Sequence, residues 1–299
     1  MPKLSIIIVN FNTKEILQDC LENLDTIYPN MEVIVVDNAS SDGSSQVISS
    51  QYPWVKLIQN QENKGLAAAN NAGLKASSGD YILYLGSDCF PAKNVLTGML
   101  GYMEENLKVG IATCQLYLRD GSLDMDAHRG FPKPWAAATH FLRLNKLFTK
   151  SKIFNHYFMG NEDLSVSHEI ELCISHFMLV RRAVFETIGN WDENFFLYGE
   201  DVDLCYRTKK AGWKIMYLPQ WRALHYKGVS TGLRAASKDV TKASAETKLR
   251  TTRNTTEAMK MFYAKHYKAL YPALVTGVIF IGIDLMAKFR QAKLKAKSK

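Results

Sequence analysis

Leu4-Ser-Ile-Ile-Ile-Val-Asn10 is the stretch on which the fold turns. Its centre is β-branched and uncharged, and it runs into polar Asn10-Phe-Asn12. A continuous apolar run of this length reads as a strand buried on both faces, as in a parallel sheet covered by helices. Working outward, Thr13 can cap a helix whose apolar stripe is Ile16, Leu17, Cys20, Leu21 and Leu24. Met31-Glu-Val-Ile-Val-Val36 is a second strand ending in Asp37-Asn-Ala-Ser40, and Ser41, Asp42 and Gly43 open another helix. Trp54 to Ile58 is a third strand, Asn63-Lys-Gly65 a turn, and Leu66 to Ala76 a small-residue helix. Tyr81-Ile-Leu-Tyr-Leu85 is a fourth strand ending at Gly86-Ser-Asp88. Strand alternating with helix four times implies right-handed crossovers and an α/β fold: a doubly wound, mostly parallel sheet flanked by helices.

Ligands of such sheets bind beyond the carboxyl ends of the strands. Those ends carry Asn10 and Asn12, Asp37 and Asn38, and Asp88. Strand ends that simply meet solvent would explain polarity, but less well a gathering of acids and amides on several strands. No GxGxxG follows the first strand and no GxxxxGK[ST] occurs, which disfavours a dinucleotide site or a P-loop.

The 299 residues are 47% hydrophobic and 22% charged, enough for a sizeable core. Five scattered cysteines without a CxxC pair argue against a disulfide framework or zinc site and fit a reducing cytosol. The N-terminal apolar run is too short for a secretory signal. Net charge is +8, with Lys288, Arg290, Lys293, Lys295, Lys297 and Lys299 crowded at the end. Such a tail suits an anionic surface.

A second informative stretch is Phe195-Phe-Leu-Tyr-Gly-Glu-Asp-Val-Asp-Leu-Cys-Tyr-Arg207. A helix starting near Gly199 carries Glu200, Asp201 and Asp203 in its first turn, against unpaired N–H groups and the positive end of the dipole. A carboxylate oriented there suits a general base. Ordinary capping chemistry is the competing reading.

Between these stretches the pattern weakens. From Ile111 to Thr139 periodicity is poor. Leu118 to Ser122 resembles a hairpin turn, and Asp126 to Pro132 a loop. Residues 131 to 168 mix aromatics, basic residues and turns, as a lid or binding segment does. Ile174 to Arg181 is strand-like, Arg182 to Ile188 a short helix, and Lys214 to Leu218 another strand. Beyond Gly232 the chain is polar. Glu246 to Lys268 then reads as a helix, and Leu270 to Ala287 is apolar apart from Asp284, with Pro272 suited to a first turn. Three readings of that run stand open: an interfacial helix on an anionic leaflet, a short span, or a helix packed on the domain. The basic cluster lacks aromatic interleaving, which points away from nucleic acid.

Five motifs in order carry a family resemblance: Ile6-Ile-Ile-Val-Asn-Phe-Asn12, Val35-Val-Asp-Asn-Ala-Ser-Ser-Asp-Gly43, Asn63-Lys-Gly-Leu-Ala-Ala-Ala-Asn-Asn71, Gly79-Asp-Tyr-Ile-Leu-Tyr-Leu85 and the 195–207 stretch. From about residue 4 to about 230 the chain resembles the inverting glycosyltransferases of family 2, with the GT-A fold, and most their bacterial rhamnosyltransferase-type branch. The resemblance implies that Asp37 accepts a hydrogen bond from the base of a nucleotide sugar. Asn10, Asn12 and Asn38 would line the same pocket, and Asn63, Lys64 and Gly65 would approach the nucleotide. Asp88 would be the last acid of a DxD-type metal motif, holding Mg2+ or Mn2+. His225, in His225-Tyr-Lys-Gly228, would add a metal or diphosphate contact. Asp201 would be the base that deprotonates the acceptor hydroxyl, beside Glu200. A divalent cation neutralises charge on a leaving diphosphate and needs few carboxylates. Inversion needs one base on the face opposite the leaving group.

The motif reads Gly86-Ser87-Asp88, where a first acid usually stands, so one carboxylate remains for the metal. Other readings stay open residue by residue. Asp37 also suits a strand-end turn. His225 also suits a structural role. Asp203 reads as a solvated or capping acid or a cation's partner. Trp191 reads as core or as an acceptor platform.

The expectation is an enzyme of two parts. Residues 1–230 form the glycosyltransferase domain, with a donor half to about 115 and an acceptor half from about 116. Residues 231–299 form a linker, a helix and a membrane-associating tail. It would move a sugar such as rhamnose from a dTDP donor to a lipid-linked or polysaccharide acceptor, at the cytoplasmic face of the cell membrane, held peripherally or by a single anchor. Two rivals are an inactive nucleotide-sugar-binding assembly partner, suggested by the missing first acid, and a nucleotidyltransferase, which the absence of a Gly-rich basic first loop disfavours.

Overall fold

The computed structural model describes residues 3–25, 31–228 and 245–297. The polar segment expected between Gly232 and residue 244 lies outside them, as does Lys299. The chain begins β1 (Leu4–Asn10), α1 (Lys14–Asp25), β2 (Met31–Asp37), α2 (Ser44–Gln51), β3 (Val55–Gln59), α3 (Leu66–Ala76) and β4 (Tyr81–Gly86). Strand β1 pairs in parallel with β2 and β4, and β2 with β3. Period-two alternation divides β1 between two cores. Leu4, Ile6 and Ile8 meet Leu17, Leu21 and Leu24 of α1 on one face. Ile7 meets Ala67, Ala69 and Leu74 of α3 on the other. The stripe expected for α1 is the set it buries.

The second half adds β5 (Cys89–Pro91), α4 (Val95–Glu105), β6 (Val109–Tyr117), α5 (Pro134–Phe141), α6 (Leu144–Leu147), β7 (His168–Ile170), β8 (Phe177–Arg181), α7 (Arg182–Ile188), α8 (Glu200–Lys210) and β9 (Lys214–His225). The sheet order is β3-β2-β1-β4-β8-β6-β9-β5, with β7 also on β9. The sheet is mixed, not the mostly parallel one expected. The β4–β8, β6–β8, β5–β9 and β7–β9 pairs are antiparallel. The reason is topological. Strand β6 runs in the same sense as β4, so the excursion after Tyr117 leaves from the carboxyl edge. Strand β8 starts from that edge and must run back. Strand β6 lies where the sequence pattern was weak, yet it is central and buried through its first eight residues.

Two helices complete the described chain, α9 (Ala245–His266) and α10 (Ala273–Lys297). Helix α9 docks through Ala258, Phe262 and Tyr263, which with Tyr267 form a third core around Phe195. Each large side chain so buried contributes about 1.5–3 kcal/mol. Helix α10 folds back on α9: Tyr263 meets Tyr271 and Phe280, and Lys260 Nζ lies 2.5 Å from Asp284. Its inner face buries Thr276, Ile283 and Ala287. Leu274, Val278, Ile281, Leu285 and Phe289 stand exposed on another face. Among the described residues no helix is long and apolar enough to cross a membrane, which sets the spanning reading aside.

Candidate active site

At the carboxyl ends of the parallel strands, β1 and β2 place Asn10 opposite Asp37. Asn10 Nδ2 donates to Asp37 Oδ2 at 2.8 Å and to Ser40 Oγ at 3.0 Å. The Ser40 N–H donates to Asp37 Oδ1 at 2.8 Å. Thr13 Oγ1 donates to Asn10 Oδ1 at 2.6 Å and meets Ser87 Oγ at 3.1 Å, which ties this corner to Asp88. Asn10 and Asp37 are buried, so within this chain they brace one another. Asn12, exposed at φ 55°, accepts from Ser41 N–H.

Asn38 is a clamp on the next turn. Its amide donates to Asn63 Oδ1 at 3.0 Å and to the Gly65 carbonyl at 3.1 Å, and its Oδ1 accepts from Lys64 N–H. Gly65 has φ +84°, and a Cβ there would stand 2.4 Å from the Phe196 carbonyl oxygen. The Leu66 N–H donates to that oxygen at 2.8 Å. This turn is thus closed against the segment that leads into α8. The Lys64 side chain lines a separate cavity between α3 and α7, with Arg182, Glu186 and Glu193.

Three strand ends bring together Asp88, His176 and His225. Asp88 precedes β5, which pairs with β9 so that Cys89 faces His225. His176 precedes β8, and its carbonyl accepts from Gly86 N–H at 3.0 Å. One ligand-type atom from each of the three lies within 4.8 Å of the others. His225 Nδ1 meets Asp124 Oδ2 at 2.8 Å. Its Nε2 is buried without a hydrogen-bond partner among the described residues, with Asp88 Oδ1 at 3.6 Å. An unsatisfied buried nitrogen beside a carboxylate and a second imidazole fits a divalent cation, and Asp124 stands where a carboxylate would orient His225 as a ligand. Burial opposes protonation of His225, but its bond to Asp124 and the charge of the nearby Asp88 carboxylate outweigh it and lift its pKa to about 9, so a cation at Nε2 would displace a proton. Burial likewise opposes ionisation of Asp124, but His225 and Lys227 hold its carboxyl well below the usual range.

Helix α8 is entered through Tyr198 and Gly199, at φ +72° and +87°. Two left-handed residues in succession turn the chain sharply, and the second is glycine because a side chain there is strained. Glu200, Asp201 and Asp203 are all buried in the first turn, and Arg207, Lys209 and Lys210 close the last, as the helix dipole favours. Of the readings open for Asp203, the solvated one falls, since it is fully buried, and it partners cations: Arg207 Nε lies at 2.7 Å, Lys265 Nζ at 2.6 Å and His266 Nε2 at 2.7 Å. It therefore fastens α9 to α8. Asp201 Oδ2 stands 3.6 Å from Arg129 Nη2. Burial raises the Asp201 carboxyl, Arg129 pulls it down, and the net direction is upward. Glu200 is raised by burial and then by Asp201, and its Oε2 has no hydrogen-bond partner among the described residues.

Arg129 joins this acid to a cavity. Its Nε donates to the Asp126 carbonyl at 2.7 Å and its Nη1 to Tyr157 Oη at 3.0 Å. Asp124, Asp126, His140, Tyr157, Lys227 and Arg290 line that cavity, of about 490 Å3. Its wall thus meets His225 through Asp124 and lies one side chain from Asp201, since Tyr157 of the wall bonds Arg129.

A family model described as Glycosyl transferase family 2 matches residues 5–189, more than half of the chain. The chain belongs to this family. Rhamnosyltransferase WbbL of Escherichia coli (strain K12) is 27% identical over 227 residues, covering 74% of this glycosyltransferase and 82% of that protein. The N-acetylglucosaminyl-diphospho-decaprenol L-rhamnosyltransferase of Mycobacterium tuberculosis (strain CDC 1551 / Oshkosh) is 29% identical over 219 residues, covering 69% and 70%. In fold, this glycosyltransferase is similar to the mannosyltransferase PcManGT of Pyrobaculum calidifontis, solved with GDP-Man and Mn2+. The TM-score is 0.59 at 15% identity, covering 99% of this chain and 73% of that one. S. aureus TarS 1-349 in complex with UDP-GlcNAc gives a TM-score of 0.53 at 18% identity, covering 94% and 71%. The fold is GT-A.

Reading the sequence as a family 2 glycosyltransferase does not reach His176, Asp124 or Arg129. His176 shares no ligand spacing with Asp88 or His225, and only the β4–β8 and β5–β9 pairings bring the three together. Asp124 and Arg129 lie in a segment without periodicity. The signal that could have found Asp124 is its place just after the Leu118–Ser122 turn, which folds back on Tyr117. Trp191, open between two readings, is core at 2% exposure.

Proposed function

We propose that this glycosyltransferase transfers a sugar with inversion, in one displacement, from a nucleoside-diphosphate donor to a hydroxyl of a lipid-linked or polysaccharide glycan at an anionic membrane surface. The observation that carries the proposal is that side chains lining one cavity lead to both groups, Asp124 to His225 and Tyr157 through Arg129 to Asp201. The nucleotide is assigned to the corner of Asn10, Asn12, Asp37, Asn38 and Asn63 to Gly65. A Mg2+ or Mn2+ ion held by Asp88, His176 and His225 would neutralise charge on the departing diphosphate. The Asp201 carboxylate takes the proton of the acceptor hydroxyl, whose oxygen forms the new bond to the anomeric carbon. The bond from that carbon to the diphosphate breaks, and the nucleoside diphosphate leaves with the electron pair. Glu200 stands beside the base, and Arg129 keeps Asp201 ionisable despite its burial.

The rhamnosyltransferase relatives favour dTDP-rhamnose as donor and a diphosphate-linked lipid glycan as acceptor, in envelope polysaccharide synthesis at the inner membrane face. The exposed apolar face of α10 and the basic tail favour peripheral docking there. The test is transfer by purified protein with Mn2+, with the configuration of the product read by NMR. Asp201→Asn abolishes transfer and leaves nucleotide binding intact. Unchanged transfer in that variant removes Asp201 from the mechanism, and a product of retained configuration removes the single displacement. Thermal shifts with a panel of nucleotide sugars identify the donor.

A further inference from the structure

From Ala127 to Asn161 the chain carries no acid, while Arg129, Lys133, Arg143, Lys146, Lys150 and Lys152 fall in the same interval. Arg129 and Lys133 turn inward to Asp201 and Glu171. The other four are exposed on α6 and the turns on either side of it. None has a carboxylate within ion-pair distance among the described residues. The same segment exposes Trp135, Phe141, Leu142, Leu147, Phe148 and Ile153, with Leu142 at 70% and Leu147 at 75%. Large apolar side chains gathered on a surface mark an interaction site. Aromatic side chains interleaved with cations fit the boundary between headgroups and acyl chains, where rings sit at the interface and cations meet anionic lipid. The unbroken positive sign over so long an interval is complementary to an anionic bilayer.

The position adds to the composition. His140, at the end of α5, and Arg290, near the end of α10, line the same cavity. Helix α10 shows its own apolar face at Leu274, Val278, Ile281, Leu285 and Phe289. Two exposed apolar-basic elements far apart in sequence thus flank one cavity.

We propose that residues 135–153 are a second membrane-docking element, which with the outer face of α10 seats the mouth of this cavity on an anionic phospholipid bilayer. The inference rests on the proposed function in taking the chain to work at an anionic membrane surface, and docking is measured without turnover. The full chain is mixed with vesicles of phosphatidylcholine, alone or with phosphatidylglycerol, carrying brominated acyl chains that quench nearby tryptophan. Wild-type fluorescence is quenched on the anionic vesicles only, and Trp135→Phe removes most of the quenching while binding persists. Arg143→Gln/Lys146→Gln/Lys150→Gln weakens vesicle binding by about a hundredfold. Transfer to a water-soluble acceptor stays unchanged in both variants. Equal quenching in Trp135→Phe, equal binding to neutral vesicles, or unchanged affinity in the triple variant overturns the proposal, as does capture of a protein partner without any response to lipid. Should the triple variant misfold, Trp135→Phe alone decides. Docking retained by a protein that transfers no sugar would instead overturn the proposed activity and leave this surface standing.

Discussion

His225 donates its Nδ1–H to the buried carboxylate of Asp124 at 2.8 Å. That bond fixes the tautomer in which Nε2 could ligate once a cation displaces its proton, and Lys227 holds the carboxylate from its other side. Asp124→Asn weakens Mn2+ binding by about 10- to 100-fold while the fold persists. Titration calorimetry with the metal alone reads this directly. An unchanged affinity would separate Asp124 from the site.

His176 makes the donor set two imidazoles and one carboxylate. Magnesium prefers all-oxygen shells, whereas imidazole suits transition metals. Mn2+ therefore binds more tightly than Mg2+, and His176→Ala narrows the difference. Paramagnetic broadening by Mn2+, competed with Mg2+, measures both. Equal competition in wild type and variant would place His176 outside the shell.

Arg129 lowers a carboxyl that burial raises. Arg129→Met lets the Asp201 carboxyl rise further. As the proposed base, Asp201 would be active when ionised, so the acid limb of the kcat profile moves to higher pH. A limb that stays put, or moves to lower pH, contradicts the assignment. Because Arg129 is largely covered, at 11% side-chain exposure, among Asp126, Tyr157 and Asp201, the variant also loses about 3 kcal/mol of stability.

Glu200 is raised above its ordinary value of 4.5 by burial and by Asp201. A carboxyl raised in the folded state contributes stability that is full below the unfolded value and is lost as pH rises. Glu200→Gln is then close to wild type in stability below pH 4.5. It becomes the more stable protein above that, by up to about 1.4 kcal/mol for each pH unit in the window. Denaturant melts at several pH values would reveal the divergence. Parallel curves would refute it.

For Asp203 the sign is reversed. Burial opposes its ionisation, but His266, Lys265 and Arg207 outweigh burial and bring its pKa to about 2. This contribution is present above the unfolded value of 3.8 and is lost as pH falls through about 2. Asp203→Asn costs about 3–5 kcal/mol, as breaking a buried ion pair does. Amide exchange quickens first in α9, before the sheet. Uniform exchange along the chain would mean that α9 has no separate fastening.

The sequence was most legible where one local rule decided the structure. Helix α3 and helix α7 have the bounds that their patterns imply, and α1 buries the five residues of its stripe. Strand β6 was not legible. It is covered on both faces and includes Gly110, Ala112 and Gln115, so it shows neither alternation nor a β-branched run. The antiparallel return of β8 follows from where the excursion after Tyr117 leaves the sheet, which no local pattern records. In the site, Asp88, His225 and Asp201 carried motif signals. His176, Asp124 and Arg129 acquire meaning only when strand pairing brings distant loops together.

Gly65 and Phe196 meet too closely for any side chain larger than hydrogen at position 65, and one backbone bond closes the seam. A chimaera that imports a relative's donor half to change the sugar would therefore have to bring that relative's 195–199 turn as well. Without it, the graft would part along this junction before altered specificity could be seen.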